Sequence, residues 1–162
     1  MPAPLPPSET TRLAALRSYG ILDTEAEEAF DRIVALAADF LATPIAAISL
    51  VDEARQWFKA KLGLAIDETP RDIAFCAHSI LQTGVLVVED ARRSPIFADN
   101  PLVTGPTGIR AYAGAPLVTP DGQALGTLCV IDTRPRRFSR RQRRQLGRLA
   151  AMVMAELELR RA

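Results

Sequence analysis

From Ile45 to Val51 the chain is apolar at nearly every position, and from Arg55 to Leu62 it alternates, with Asp52-Glu53-Ala54 between them. A continuous apolar run followed by a period of two predicts an antiparallel hairpin whose first strand is covered on both faces. The same design returns over Ile109–Asp132, where two apolar runs flank Thr119-Pro120-Asp121-Gly122. Gly122 can supply the positive φ that the reversal needs. In the second run Leu125, Thr127, Cys129 and Ile131 are expected on one face, and Ala124, Gly126, Leu128 and Val130 on the other. Ala113, Gly114, Ala115, Gly126 and Thr127 are small, leaving room for a packed helix or a ligand. Val85–Glu89 adds a further strand, whereas Gly63–Thr69 reads as a loop.

Helical spacing appears elsewhere. Ser8 and Gly20 bracket a short helix carrying Leu13 and Leu16. Thr24 with Glu27 matches a capping box, opening a longer helix with Phe30, Ile33, Ala37, Phe40 and Leu41 inward. Asp72 to Gly84 predicts a third helix on the stripe Ile73, Cys76, Ala77, Ile80 and Leu81, with Phe75 and His78 on an adjoining face. Ser139 with Gln142 gives a second capping box, and a last helix runs from about Arg140 nearly to the end on Leu146, Leu149, Ala150, Val153 and Leu157. The segment 90–108, broken by prolines and glycines, has the length of a binding loop or lid. Together these elements form an α+β three-layer sandwich. A central antiparallel sheet of about five strands carries the terminal helices on one face, and the short helix and loops on the other.

Composition narrows the function classes. The 162 residues suit one domain, with a Pro-rich lead-in over 1–7 and a folded unit over 8–162. A net charge of +1 gives no bulk attraction to nucleic acid or anionic membrane. No apolar run is long enough to span a bilayer and no secretory signal opens the chain, so a cytoplasmic setting is expected. Two cysteines exclude a disulfide framework. Eight arginines lie between Arg134 and Arg148, at the start of the last helix, where positive charge opposes the helix dipole. Without interleaved aromatics they read as a solvated face rather than a nucleic-acid surface.

Four stretches, Arg71–Ile80, Val87–Val103, Ile109–Asp132 and Phe138–Ala150, together resemble a GAF domain of the kind placed before histidine kinase or diguanylate cyclase domains in bacterial signalling proteins. The resemblance implies a non-enzymatic sensory module with a ligand pocket on the sheet face opposite the terminal helices. It also implies frequent homodimerisation through those helices and a kinase or cyclase as output partner. It names neither ligand nor cofactor. The signature of cyclic-nucleotide-binding members is absent, and the setting of Cys76 and His78 is not that of bilin-binding members.

The candidate pocket residues are Phe58, Phe75, Cys76, His78, Asp90, Phe97, Arg110, Tyr112 and Cys129. Ligand sites are apolar with a few convergent polar groups. Arg71, Arg110 and Asp90 are the polar candidates, arginine being suited to an anion, although Arg110 can equally pair with Asp90 or Asp99 and only pin the loop. The alternative is a ligand-free dimerisation or interaction module whose pocket is filled by its own side chains. A third reading is a cysteine-based methionine sulfoxide reductase. It is disfavoured because the resemblance would put the reactive cysteines in the covering loop, and 90–108 contains none. No metal site is expected: a single histidine and a two-residue spacing that turns Cys76 and His78 about 200° apart argue against one.

Overall fold

The computed structural model describes residues 1–162. Its elements are α1 (Glu9–Ser18), α2 (Glu28–Leu41), β1 (Ile45–Val51), β2 (Arg55–Leu62), β3 (Glu68–Pro70), α3 (Cys76–Ser79), β4 (Leu86–Val88), α4 (Pro101–Thr104), β5 (Ala111–Val118), β6 (Ala124–Asp132) and α5 (Arg140–Arg161). The sheet has six strands rather than five, in the order β3-β2-β1-β6-β5-β4, and every neighbouring pair is antiparallel. The added strand, β3, lies in the stretch expected to be a loop. Three residues pairing with Arg55–Trp57 leave too short a period to read from sequence.

β1 sits near the middle and is buried at all seven positions, as its unbroken apolar run requires. One face of the sheet carries α1, α2 and α5 over a core that includes Phe30, Leu41, Trp57, Leu128, Val130 and Leu149. The other face carries α3, α4 and the intervening loops over Phe75, Cys76, Phe97, Tyr112, Cys129 and Ile131. This is the expected sandwich.

Two bulges break the strict alternation. Ser49 pairs with Phe58 while Ile48 pairs with Ala60, leaving Lys59 as the extra residue. Likewise Leu117 pairs with Gly126 and Val118 with Ala124, leaving Leu125 unpaired. A bulge inserts one residue and resets the side-chain phase. Leu125 consequently joins Leu128 and Val130 in the helix-side core, not Cys129 on the opposite face. Lys59 turns its fully buried side chain to the same side, where its ammonium reaches Glu27 at 2.6 Å and Thr24 Oγ1 at 2.7 Å.

That lysine helps to explain why no capping box forms at Thr24. The Thr24 hydroxyl accepts from Lys59 and donates to the Ile21 carbonyl at 2.6 Å, so α2 begins only at Glu28, with no side-chain cap. Ile33, Val34 and Ala37 are buried in α2, but Phe40 is half exposed at 50 % and lies outside the core. At the second site the box is complete. The Gln142 N–H donates to Ser139 Oγ at 3.0 Å, and the Ser139 N–H to Gln142 Oε1 at 2.9 Å. All five expected stripe residues of α5 are buried, and Met154 joins them.

The helix expected from Asp72 is shorter and broken. Arg71–Ile73 forms one tight turn, Ala74 is extended, and α3 covers only Cys76–Ser79. The Ile73 carbonyl, which a continuous helix would need, accepts instead from Asn100 Nδ2 at 3.0 Å. The break leaves Leu81, expected on the buried stripe, exposed, while Phe75 is buried.

The small residues of the central hairpin divide three ways. Ala111, Ala113 and Ala115 belong to the core beneath the helices. At Gly126 a Cβ would stand 1.9 Å from the Ser49 carbonyl oxygen, so the glycine admits the backbone of β1. At Gly114 it would meet the Tyr112 hydroxyl at 2.2 Å, so this glycine makes room for a neighbouring tyrosine.

Candidate functional site

The pocket face is built by four strands and the segments covering them. β5 projects Tyr112 onto it, β6 projects Thr127 and Cys129, β1 contributes Ser49, and β2 contributes Gln56 and Phe58. From the other side, α3 and its lead-in bring Phe75, Cys76 and Ser79, and the loop before α4 brings Phe97. The rings of Phe75 and Phe97 stack at 4.1 Å between centroids and 7° between planes. Phe75 also lies 5.2 Å from the Tyr112 ring, and His78 packs edge-on to Phe97 at 4.9 Å. These are ordinary favourable aromatic geometries. What is left is a cavity of about 30 Å³ bordered by Phe58, Phe75, Cys76, Tyr112 and Cys129. That volume suits a molecule of about two or three heavy atoms and excludes a metabolite.

Beneath the rings lies a buried polar network. The Tyr112 hydroxyl is 2.8 Å from Ser79 Oγ and 3.2 Å from Cys76 Sγ, and Cys76 Sγ is 2.9 Å from Thr127 Oγ1. Alongside, Ser49 Oγ donates to Gln56 Oε1 at 2.8 Å, Gln56 Nε2 donates to Thr69 Oγ1 at 3.1 Å, and Thr69 Oγ1 donates to the Pro70 carbonyl. Every member has a partner, which buried polar groups require. Burial raises the Cys76 thiol, but the hydroxyls and the second thiol around it outweigh that and bring it down to about 7. Cys129, as donor to Cys76 and itself buried, is pushed well above the usual thiol range. Tyr112 is raised by burial and by the two thiols beside it.

The nine candidates separate into two groups. Phe58, Phe75, Cys76, Phe97, Tyr112 and Cys129 converge on the pocket face, and His78 borders it. His78 Nε2–H donates to the Met1 carbonyl at 3.0 Å, and burial lowers its pKa. Asp90 and Arg110 lie apart. Asp90 caps the tight turn Ala91–Arg93 and pairs with Arg92 at 3.0 Å. Arg110 pairs with neither Asp90 nor Asp99; it donates to the Val103 and Ile109 carbonyls, pinning the end of the loop. Arg71 is also committed elsewhere, holding Glu9 at 2.6 Å and the Asp52 carbonyl at 3.0 Å. Sequence reading missed Ser49, Gln56, Thr69 and Ser79. The one available signal was Ser49, a lone hydroxyl inside the apolar run of β1.

No three of the His, Cys, Asp and Glu side chains gather as a metal site, and no carboxylate or ammonium hydrogen-bonds into the network. A thiol pair, a phenol and several hydroxyls under an aromatic cover can bind and orient a small polar group.

The fold is a six-stranded α+β sandwich, and sequence comparison gives the family. The chain belongs to the GAF domain family, whose model matches residues 25–157. It is 47% identical over 155 residues to a cyclic di-GMP phosphodiesterase of Pseudomonas aeruginosa, an alignment covering 95% of this chain and 26% of that protein. The chain therefore spans about a quarter of that relative. Among solved structures it is similar to the GAF domain of an Acinetobacter phosphoenolpyruvate-protein phosphotransferase, with a TM-score of 0.65 and 19% identity over 92% of this chain and 94% of that one. It is also similar to the free methionine-R-sulfoxide reductase of Neisseria meningitidis, with a TM-score of 0.67 and 18% identity over 98% and 96%. At such identities these structures speak to the fold alone.

Proposed function

We propose that this chain is a non-enzymatic regulatory GAF module that acts through its helical face, with the family's ligand pocket filled by its own side chains. The observation that carries this reading is the stack of Phe75 on Phe97 over Tyr112, which leaves only about 30 Å³ of free volume. The helical face offers the complementary surface. Leu36 and Phe40 on α2, and Met152 and Leu159 on α5, are exposed by 39 %, 50 %, 49 % and 70 %. A homodimer pairing these helices covers them, and a kinase, cyclase or phosphodiesterase domain is the output such a dimer would regulate. The similarity to a quarter of a cyclic di-GMP phosphodiesterase supports that placement.

A second reading, small-molecule sensing, draws on the polar network below the rings, since convergent buried hydroxyls are what a ligand site provides. It requires the Phe75–Phe97 stack to part. Native mass spectrometry of the purified protein, followed by a thermal-shift screen of metabolites, separates the two. The filled-pocket reading expects an unliganded mass and no stabilising compound. A co-purified small molecule, or a metabolite that raises the melting temperature by several degrees, overturns it in favour of sensing.

A further inference from the structure

The chain has only two cysteines, far apart in sequence, and folding brings both to the lining of one cavity. Cys76 opens α3. Cys129 lies on β6, two residues along the same strand face from Thr127, whose hydroxyl touches Cys76 Sγ at 2.9 Å. Both thiols are buried, both border the residual cavity, and that cavity has the volume of a water or a hydrogen peroxide molecule. We propose that Cys76 and Cys129 are a redox couple that a small hydroperoxide converts into an intramolecular disulfide.

The geometry assigns separate roles. The Tyr112 and Thr127 hydroxyls lie 3.2 and 2.9 Å from Cys76 Sγ, placed to donate to its thiolate. The depressed Cys76 thiol and the raised Cys129 thiol agree with that division. Cys76 is therefore the attacking sulfur and Cys129 the resolving one. In the first step the Cys76 thiolate displaces one oxygen of the hydroperoxide. The S–O bond forms, the O–O bond breaks, and the departing oxygen leaves as water after taking a proton. In the second step the Cys129 sulfur attacks the sulfenic acid, forming the S–S bond and releasing the sulfenic oxygen as water with the Cys129 proton. Two electrons pass from the thiols to the hydroperoxide. The couple works whether or not any ligand enters the pocket.

Oxidation also rewires the network. A sulfur bound in a disulfide is a poor acceptor, so Tyr112 keeps only Ser79 as a strong partner. Tyr112 stands on β5, whose opposite face carries Ala111, Ala113 and Ala115 beneath the helices. The thiol state can thus bias the helical layer from the far side of the sheet.

The test is hydrogen peroxide treatment of the native protein, then denaturation, alkylation and mass spectrometry. Two alkylated thiols before treatment and none after are expected, with a mass loss of two hydrogens, a non-reduced peptide joining Cys76 to Cys129, and full reversal by dithiothreitol. Two persistent thiols, added oxygen without a cross-linked peptide, or a disulfide between chains overturns the proposal. In Cys129→Ser, dimedone is expected to trap a sulfenic acid on Cys76. Tyr112→Phe is expected to slow thiol loss several-fold, with the rate still rising through pH 7. If either variant fails to fold, peptide mapping of the wild-type protein alone decides.

Discussion

Glu9 shows how much one side chain of α1 ties together. It accepts from Arg12 on its own helix and from Arg71 ahead of α3, joining the helical layer to the edge of the pocket layer. Burial alone would raise its carboxyl, but hydrogen bonds and charge from the two arginines hold it at about 2 against an ordinary 4.5. Because the folded value lies below the unfolded one, its contribution is complete above about pH 4.5 and disappears as pH falls toward 2. Glu9→Gln, which leaves Arg12 and Arg71 without their partner, is expected to cost about 3 kcal/mol at pH 7. Denaturant melts across pH should show that gap closing between pH 4.5 and 2; a gap independent of pH would assign the loss to packing instead. None of this was legible beforehand, because a charge three residues from Arg12 and far from Arg71 in sequence looks like any solvated helix turn. Apolar residues were easier. Phe75, Phe97, Tyr112 and the two cysteines were readable as pocket-side candidates, while their hydroxyl partners were not, since a serine or threonine in a strand carries no period of its own.

Elements were legible where a local signal agreed with the tertiary context and were misread where a distant residue intervened. The Ser139–Gln142 box formed because nothing competes for it, whereas the Thr24–Glu27 box lost its hydroxyl to Lys59, brought in by the bulge in β2. The helix after Asp72 lost a carbonyl to Asn100 in the same way. The far end of α2 shows a local cost that remains. Ala42 terminates the helix at φ 52°, the left-handed conformation in which a Cβ is penalised and glycine is not. Its side chain is exposed, so little packing is at stake. Ala42→Gly is therefore expected to stabilise the fold by about 1 kcal/mol, seen as a rise of roughly 2–4 °C in the melting temperature. A fall would mean that the flexibility glycine adds to the unfolded chain outweighs the relief of strain.

At the scale of the whole molecule, the layer order was the most secure reading of the sequence, because hairpins force antiparallel neighbours and the helical stripes must bury against them. The state of the pocket was not legible, since the same aromatics line an open cleft or fill a closed one. Association through α2 and α5 belongs at this scale too. Sedimentation analysis is expected to find a dimer that Phe40→Glu combined with Met152→Glu converts to monomer with an unchanged melting profile. A wild-type monomer at high micromolar concentration would remove the helical face as the contact surface.

The position of Trp57 gives the molecule a built-in optical probe. It is the sole tryptophan, and it belongs to the helix-side core. Both thiols, Tyr112 and the stacked phenylalanines lie across the sheet from it. Its fluorescence therefore samples one layer only. An event confined to the pocket face leaves the indole emission silent, and one that alters it has been transmitted through the strands to the helices.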